Sequence, residues 1–92
     1  MEIKLNVEVT TERLFNPTEL VIVIGSRDEQ FVYVTTIITE YTSKGTIVET
    51  SKNKFPLSAL SVLNGYDTVL LQPTVDTIGI NNLLANFGLK LR

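Results

Sequence analysis

The chain has 92 residues, a length that fits one domain spanning 1–92, and it contains neither Cys nor His. Disulfides, thiolate and imidazole metal sites, and nucleophilic catalysis that needs a Cys or a His base are therefore excluded. Its 8 basic and 10 acidic side chains leave a net charge of −2, too near zero for a protein held to nucleic acid by bulk charge or for an acidic mimic of DNA.

Val, Ile and Thr number 10, 8 and 12 against two Ala. Stiff β-branched side chains favour strands, and so little Ala argues against an all-helical domain. The predicted class is α+β: a small antiparallel β-meander sheet of about five strands, with one or two short helices in the C-terminal third.

The opening segment alternates Ile3, Leu5, Val7 and Val9 with Lys4, Asn6, Glu8 and Thr10, the pattern of a strand with one wet face. It has neither the basic start nor the continuous apolar run of a secretory signal. Asn16-Pro17 marks a loop. Glu19–Gly25 is apolar at successive positions. It reads as a central strand covered on both faces, with Val21, Ile22, Val23 and Ile24 all buried.

Ser26–Glu29 is a polar turn before a long strand over Gln30–Thr42. One face of that strand carries Phe31, Tyr33, Thr35, Ile37, Thr39 and Tyr41, the other Val32, Val34, Thr36, Ile38 and Glu40. Its length predicts a bend or bulge near Thr35–Ile38. Ser43-Lys44-Gly45 is a hairpin turn, Thr46–Ser51 the returning strand, and Lys52–Lys54 a basic loop.

Pro56 and Gly65 suit the two ends of a short helix over Leu57–Leu63, with Leu57, Leu60 and Leu63 inward. A strand turning at Asn64-Gly65 competes with that reading. Asp67–Gln72 reads as a strand. Asp76 suits the cap of a last helix with Ile80, Leu83, Leu84 and Phe87 on one face, stopped by Gly88. Leu89–Arg92 follows as an edge strand or tail.

No motif names a reaction. Ser51, Ser58 and Lys54 lie close in sequence and are read as loop and cap residues rather than a Ser–Lys nucleophile pair. Asp28 and Glu29 point into water from a turn, and neither a D-x-D pattern nor a glycine-rich phosphate loop occurs. No cofactor and no metal are expected. No apolar run reaches the roughly 20 residues of a membrane-spanning helix, so no membrane partner is expected and a cytoplasmic location is the default.

The anomaly lies near the C-terminus. From Phe55 to Leu89 only Asp67 and Asp76 are charged. Opposite the apolar stripe of the last helix stand Thr77, Gly79, Asn81, Asn82 and Asn86, where a solvated helix face normally carries Glu, Lys or Arg. Interface centres are poor in charge. The expected function is thus a non-catalytic protein-interaction or assembly module forming a homo-oligomer: a small structural, adaptor or inhibitor protein of a kind common in viruses and phages. Asn81, Asn82 and Asn86, with Tyr33 and Tyr41 on the sheet, are its candidate interface residues. The alternative is a sheet-based single-stranded nucleic-acid binder, in which Phe31, Tyr33 and Tyr41 stack on bases and Lys44, Lys52 and Lys54 contact phosphates. That alternative requires exposed rings; at least two of the three are expected to be buried or at a protein interface.

Overall fold

Alternation of apolar and polar residues builds a sheet with two unlike faces. The computed structural model describes residues 2–11, 16–63 and 77–92. It has five strands: β1 (Glu2–Val9), β2 (Glu19–Arg27), β3 (Phe31–Thr42), β4 (Gly45–Pro56) and β5 (Leu89–Leu91). They lie in the order β4-β3-β2-β1-β5, and every neighbouring pair is antiparallel. Two helices, α1 (Ser58–Leu63) and α2 (Thr77–Leu84), and a 3₁₀ turn at Ala85–Phe87 complete the described chain. The α+β class and the antiparallel meander agree with the sequence. The proposed Asp67–Gln72 strand, the Gly65 stop and the Asp76 cap lie outside the described residues.

The covered face carries Ile3, Leu5 and Val7 of β1, Leu20 and Ile22 of β2, Val32, Val34 and Ile38 of β3, Phe55 of β4 and Leu89 of β5, all buried. Ala59 and Leu63 of α1 and Ile80 and Leu84 of α2 pack against them. Phe55 meets Phe87 edge to face, with centroids 6.3 Å apart. The helical stripe is as the spacing predicts: Ile80 and Leu84 are fully inward, and Leu83 and Phe87 pack at the rim.

The other face has no helix over it among the described residues, and this corrects the reading of Glu19–Gly25. β2 is internal to the sheet, but only one of its faces is roofed. Val21 and Ile22 are buried, whereas Val23 on the open face and Ile24 at the rim of the covered one are half-buried. Val21 is shielded by long neighbours, since Glu19 binds Lys4 at 3.3 Å and accepts a hydrogen bond from the Tyr41 hydroxyl at 2.8 Å.

The irregularity expected in β3 lies in β2 instead. Ile24 pairs with Val34 and Arg27 with Val32, so β2 holds one extra residue, a β-bulge. Gly25 permits it: a Cβ there would stand 3.0 Å from the Tyr33 carbonyl oxygen, tight enough to push the strands apart.

The basic loop predicted at Lys52–Lys54 is also corrected. β4 runs through it unbroken, pairing Lys52 with Thr35 and Lys54 with Tyr33. A long β3 offers ladder partners all the way to Phe31, and these outweigh the weak strand preference of Lys and Asn.

Each edge of the sheet has its own character. On β5 the Leu91 N–H donates to the Asn81 side-chain oxygen at 2.8 Å, and the Arg92 guanidinium donates to the Val7 carbonyl at 3.1 Å. On β4, 12 residues pair with β3 and with no second strand among the described residues. No described helix is long and apolar enough to cross a membrane.

Candidate functional site: the open sheet face and the free edge of β4

Successive residues of a strand point to opposite faces, so register places each side chain. The odd positions of β3 and the even positions of β4 share the open face. Tyr33 is therefore beside Lys54, Thr35 beside Lys52, Ile37 beside Thr50, Thr39 beside Val48 and Tyr41 beside Thr46. Tyr33 is 41% exposed and Tyr41 62% exposed, while Phe31 is half-buried. Neither tyrosine is buried within the chain, since no helix among the described residues covers the face from which they project, so the expectation that at least two rings are buried or at a protein interface rests on the interface.

Both tyrosine hydroxyls are tied down. Tyr33 donates to the Asp28 carboxylate at 2.5 Å, and the same carboxylate accepts the N–H groups of Gln30 and Phe31 at 2.8 Å each. Asp28 thereby closes the turn into β3, as short acidic side chains do. These bonds, that from Tyr33 above all, hold the Asp28 carboxyl below the usual carboxylate range, and the Tyr33 phenol is pushed up in return. Glu19 raises the Tyr41 phenol in the same way.

The sign of the linkage follows. A depressed carboxyl stabilises the fold at pH above its ordinary value, and the contribution is lost as pH falls through the folded value. The raised phenols stabilise below their ordinary value, and their contribution is lost as pH climbs through the folded one. In Tyr33→Phe the Asp28 midpoint should move up toward an ordinary Asp in an NMR pH titration. An unmoved midpoint would show that the backbone donors alone set it.

Charges on this face mostly cancel. Lys4 pairs with Glu19, and Lys90 with Glu8 at 3.3 Å. Lys52 and Lys54 remain on β4. Lys54 lies 4.5 Å over the Phe31 ring, and Lys52 makes no ion pair among the described residues. Beside them is a shallow depression of about 470 Å³ lined by Val23, Gly25, Tyr33, Thr35, Lys52 and Lys54. The missing side chain of Gly25 opens its floor.

Beyond the row of Thr39 the hairpin of β3 and β4 outruns β2. There β4 is exposed on both faces: Ile47 is 43% and Val48 55% exposed, on opposite sides of the strand. Lys44 is in the tight turn at the hairpin tip, away from the depression.

The helical candidates divide. Asn81 is engaged by Leu91, so its carboxamide oxygen serves the edge of β5. Asn82 and Asn86 are exposed. Ile78, unremarked in the sequence, is the most exposed large apolar side chain of α2. Asn82 also lines a depression of about 400 Å³ between α1 and α2 with Pro56, Val62 and Leu83.

Ser51 and Lys54 leave β4 on opposite faces of the sheet. Ser51 belongs to a closed hydrogen-bond triangle on the covered face: its hydroxyl is 2.9 Å from that of Thr36, and the Asn53 amide donates to both, at 3.1 and 2.9 Å. Among the described residues no three acidic side chains gather as metal ligands. The chain matches no protein-family model, no curated protein and no solved structure.

Proposed function

We propose that the chain is a non-catalytic protein-interaction module that assembles into a homo-oligomer by joining the free edge of β4 to the same edge of a second copy. The observation that carries this reading is the contrast between the two sheet edges. β5 has its outer N–H capped by Asn81, whereas β4 pairs on one side only, with β3, among the described residues. Unpaired edge groups are a template for strand addition.

Natural edges are usually guarded by Lys, Pro or a bulge. Here Lys52, Lys54 and Pro56 guard only the second half of β4. The first half, Gly45–Ser51, carries a single charge, Glu49, and shows Ile47 and Val48 to solvent. An antiparallel two-fold pairing centred on Val48 brings the two Val48 side chains together and sets Thr46 against Thr50. It leaves the lysines outside the paired segment. A pairing centred on Glu49 would oppose like charges and is disfavoured. A domain of this size buries only about 60–65% of its unfolded surface, so added sheet is a physically reasonable source of stability.

The test is native mass measurement across a concentration series. Wild type is expected to be a dimer or larger. Val48→Lys places like charges face to face at the contact and should weaken assembly by about tenfold or more, with circular dichroism unchanged. Asn82→Lys with Asn86→Lys should keep the wild-type mass. A wild type that stays monomeric at high concentration ends the proposal. So does a Val48→Lys protein that keeps its mass, and loss of assembly in the Asn variant instead would move the contact to α2.

A further inference from the structure

We infer that the open sheet face beside the β2 bulge is a binding site for single-stranded nucleic acid, with Tyr33 as the stacking platform and Lys52 and Lys54 as the phosphate contacts. This inference is independent of the β4 edge contact and rests on three separate observations.

Charge pairing comes first. The cations of β1 and β5 on this face are consumed by Glu19 and Glu8, while Lys52 and Lys54 share the face with no acid of β3 or β4, Glu40 and Glu49 having the register of the opposite face. The acids that do face them are few. Asp28, bound to the Tyr33 hydroxyl and two backbone donors, keeps its negative charge and offsets part of that of Lys54. Glu2 shares the row of Val23, Thr35 and Lys52, three strand spacings or about 14 Å away. Arg27 pairs with Val32 and so takes the register of the covered face, which removes it from the site. Among the described residues the two lysines thus outnumber the one acid beside them, on a protein that is acidic overall.

The second observation is the platform. Tyr33 is exposed on a face without a helix among the described residues, and its hydroxyl is anchored, so the ring is held in one orientation before any ligand arrives. A preordered ring loses less freedom on binding. Every base has a flat π-face, and stacking on such a ring does not depend on sequence. Tyr41 offers a second exposed ring on the same face, about 27 Å along β3.

Shape is the third. The depression lies between Tyr33 and the two lysines, over Gly25. Lys52 and Lys54 stand two residues apart on one face, roughly 7 Å along the strand, and can meet neighbouring phosphates of an extended backbone. The face offers no rigid donor and acceptor pair for reading base edges, so binding is non-specific, salt-dependent and selective for single strands.

The experiment is fluorescence anisotropy of a labelled short oligothymidylate with the intact protein, from low to physiological salt. Binding at low salt is expected, with log K falling against log salt at a slope of about −1.4 for two phosphate contacts on a single strand. Tyr33→Ala should weaken binding about five- to a hundred-fold, and Tyr33→Phe, which keeps the ring, should not. Lys52→Gln, a change at an exposed side chain that leaves the fold intact, should reduce the slope by about 0.7 and provides the test even if Tyr33→Ala fails to fold. Absence of binding at low salt overturns the inference. It is also overturned by affinity that neither Tyr33→Ala nor Lys52→Gln alters, by duplex bound as tightly as single strand, or by thymidine monophosphate bound as tightly as the oligonucleotide. Val48→Lys, which adds a cation on the same face, should bind the oligonucleotide at least as tightly as wild type, so loss of assembly and loss of binding are read separately.

Discussion

Ile22→Ala is expected to lower the unfolding free energy by about 2–5 kcal/mol. Ile22 is 1% exposed and sits in the middle of the sheet, paired with Ile3 on one side and Thr36 on the other. It packs in the cluster shared by β1, β2, β3 and the helices. Truncation removes three carbons from a site whose neighbours are held by ladder bonds and cannot close the gap. Small domains are stable by only about 5–15 kcal/mol, so the loss takes a large share of the whole. A domain this size shifts by roughly 4–8 °C in melting temperature per kcal/mol. Urea unfolding should show a lower midpoint with an unchanged slope. Val23→Ala supplies the contrast one residue away. Val23 faces the open side and is half-buried, and its truncation should cost only about 1 kcal/mol. Equal losses at the two positions would contradict the two-faced sheet, and a loss below about half a kcal/mol at Ile22 would place it outside the core.

Gly88→Ala should cost about 1–2 kcal/mol through backbone conformation alone. Gly88 has φ 68° and ψ 31°, the left-handed region where a Cβ crowds the following carbonyl. It ends the 3₁₀ turn, donating its N–H to the Ala85 carbonyl at 3.1 Å, and its own carbonyl accepts the Thr10 N–H at 2.8 Å. The reversal lets β5 come back beside β1 within a single residue. An added Cβ would also press on the Thr11 hydroxyl, forcing that side chain to rotate. Gly88→Asn should be milder, because Asn tolerates this conformation. Hydrogen exchange gives a local readout, since faster exchange at Arg92, whose N–H donates to the Asn6 carbonyl, would report that β5 has loosened from β1, and at Leu91 that it has loosened from Asn81. If Ala and Asn are equally harmful, the contact with Thr11 rather than the backbone sets the cost. Gly88→Ala on a Thr11→Ala background should then recover most of the loss.

Much of the sheet was legible because strand periodicity is local. The β1 alternation, the two faces of β3 and the hairpin at Gly45 all follow from residues close in sequence, and the structure places them as the pattern predicts. The apolar stripe of α2 was legible for the same reason, its spacing of three and four residues being a property of one helix. The positions that misled were those whose role depends on a distant partner. Lys52–Lys54 resembles a loop by composition, yet it is strand because β3 is long enough to pair with it. The bulge was sought in the longest strand, but it sits in β2, where Gly25 tolerates the close carbonyl of Tyr33.

The candidate site was legible as a set of residues and not as a place. Phe31, Tyr33 and Tyr41 were recognisable as one stripe from position parity, and Lys52 and Lys54 only as cations of a basic loop that could flank it. Whether that stripe faces a helix or solvent was beyond reach, because a run of alternating residues is the same seen from either side. The Asn81 side chain illustrates the point in reverse: an uncharged helix face suggests an external contact, while the carboxamide is spent on the last strand of its own sheet.

The amino-acid order by itself determined the α+β class, the antiparallel meander, the residues of each sheet face and the exclusion of thiol and imidazole chemistry. These depend on side-chain types and on periods of two and 3.6 residues, which are intrinsic to the chain. Tertiary structure alone decided which face the described helices cover, which sheet edge is capped, and which lysines find an ion-pair partner. Those outcomes arise when segments far apart in sequence meet, as Lys4 meets Glu19, Leu91 meets Asn81 and Lys54 comes to lie beside Tyr33. The free energy of each meeting depends on where the rest of the chain has already packed.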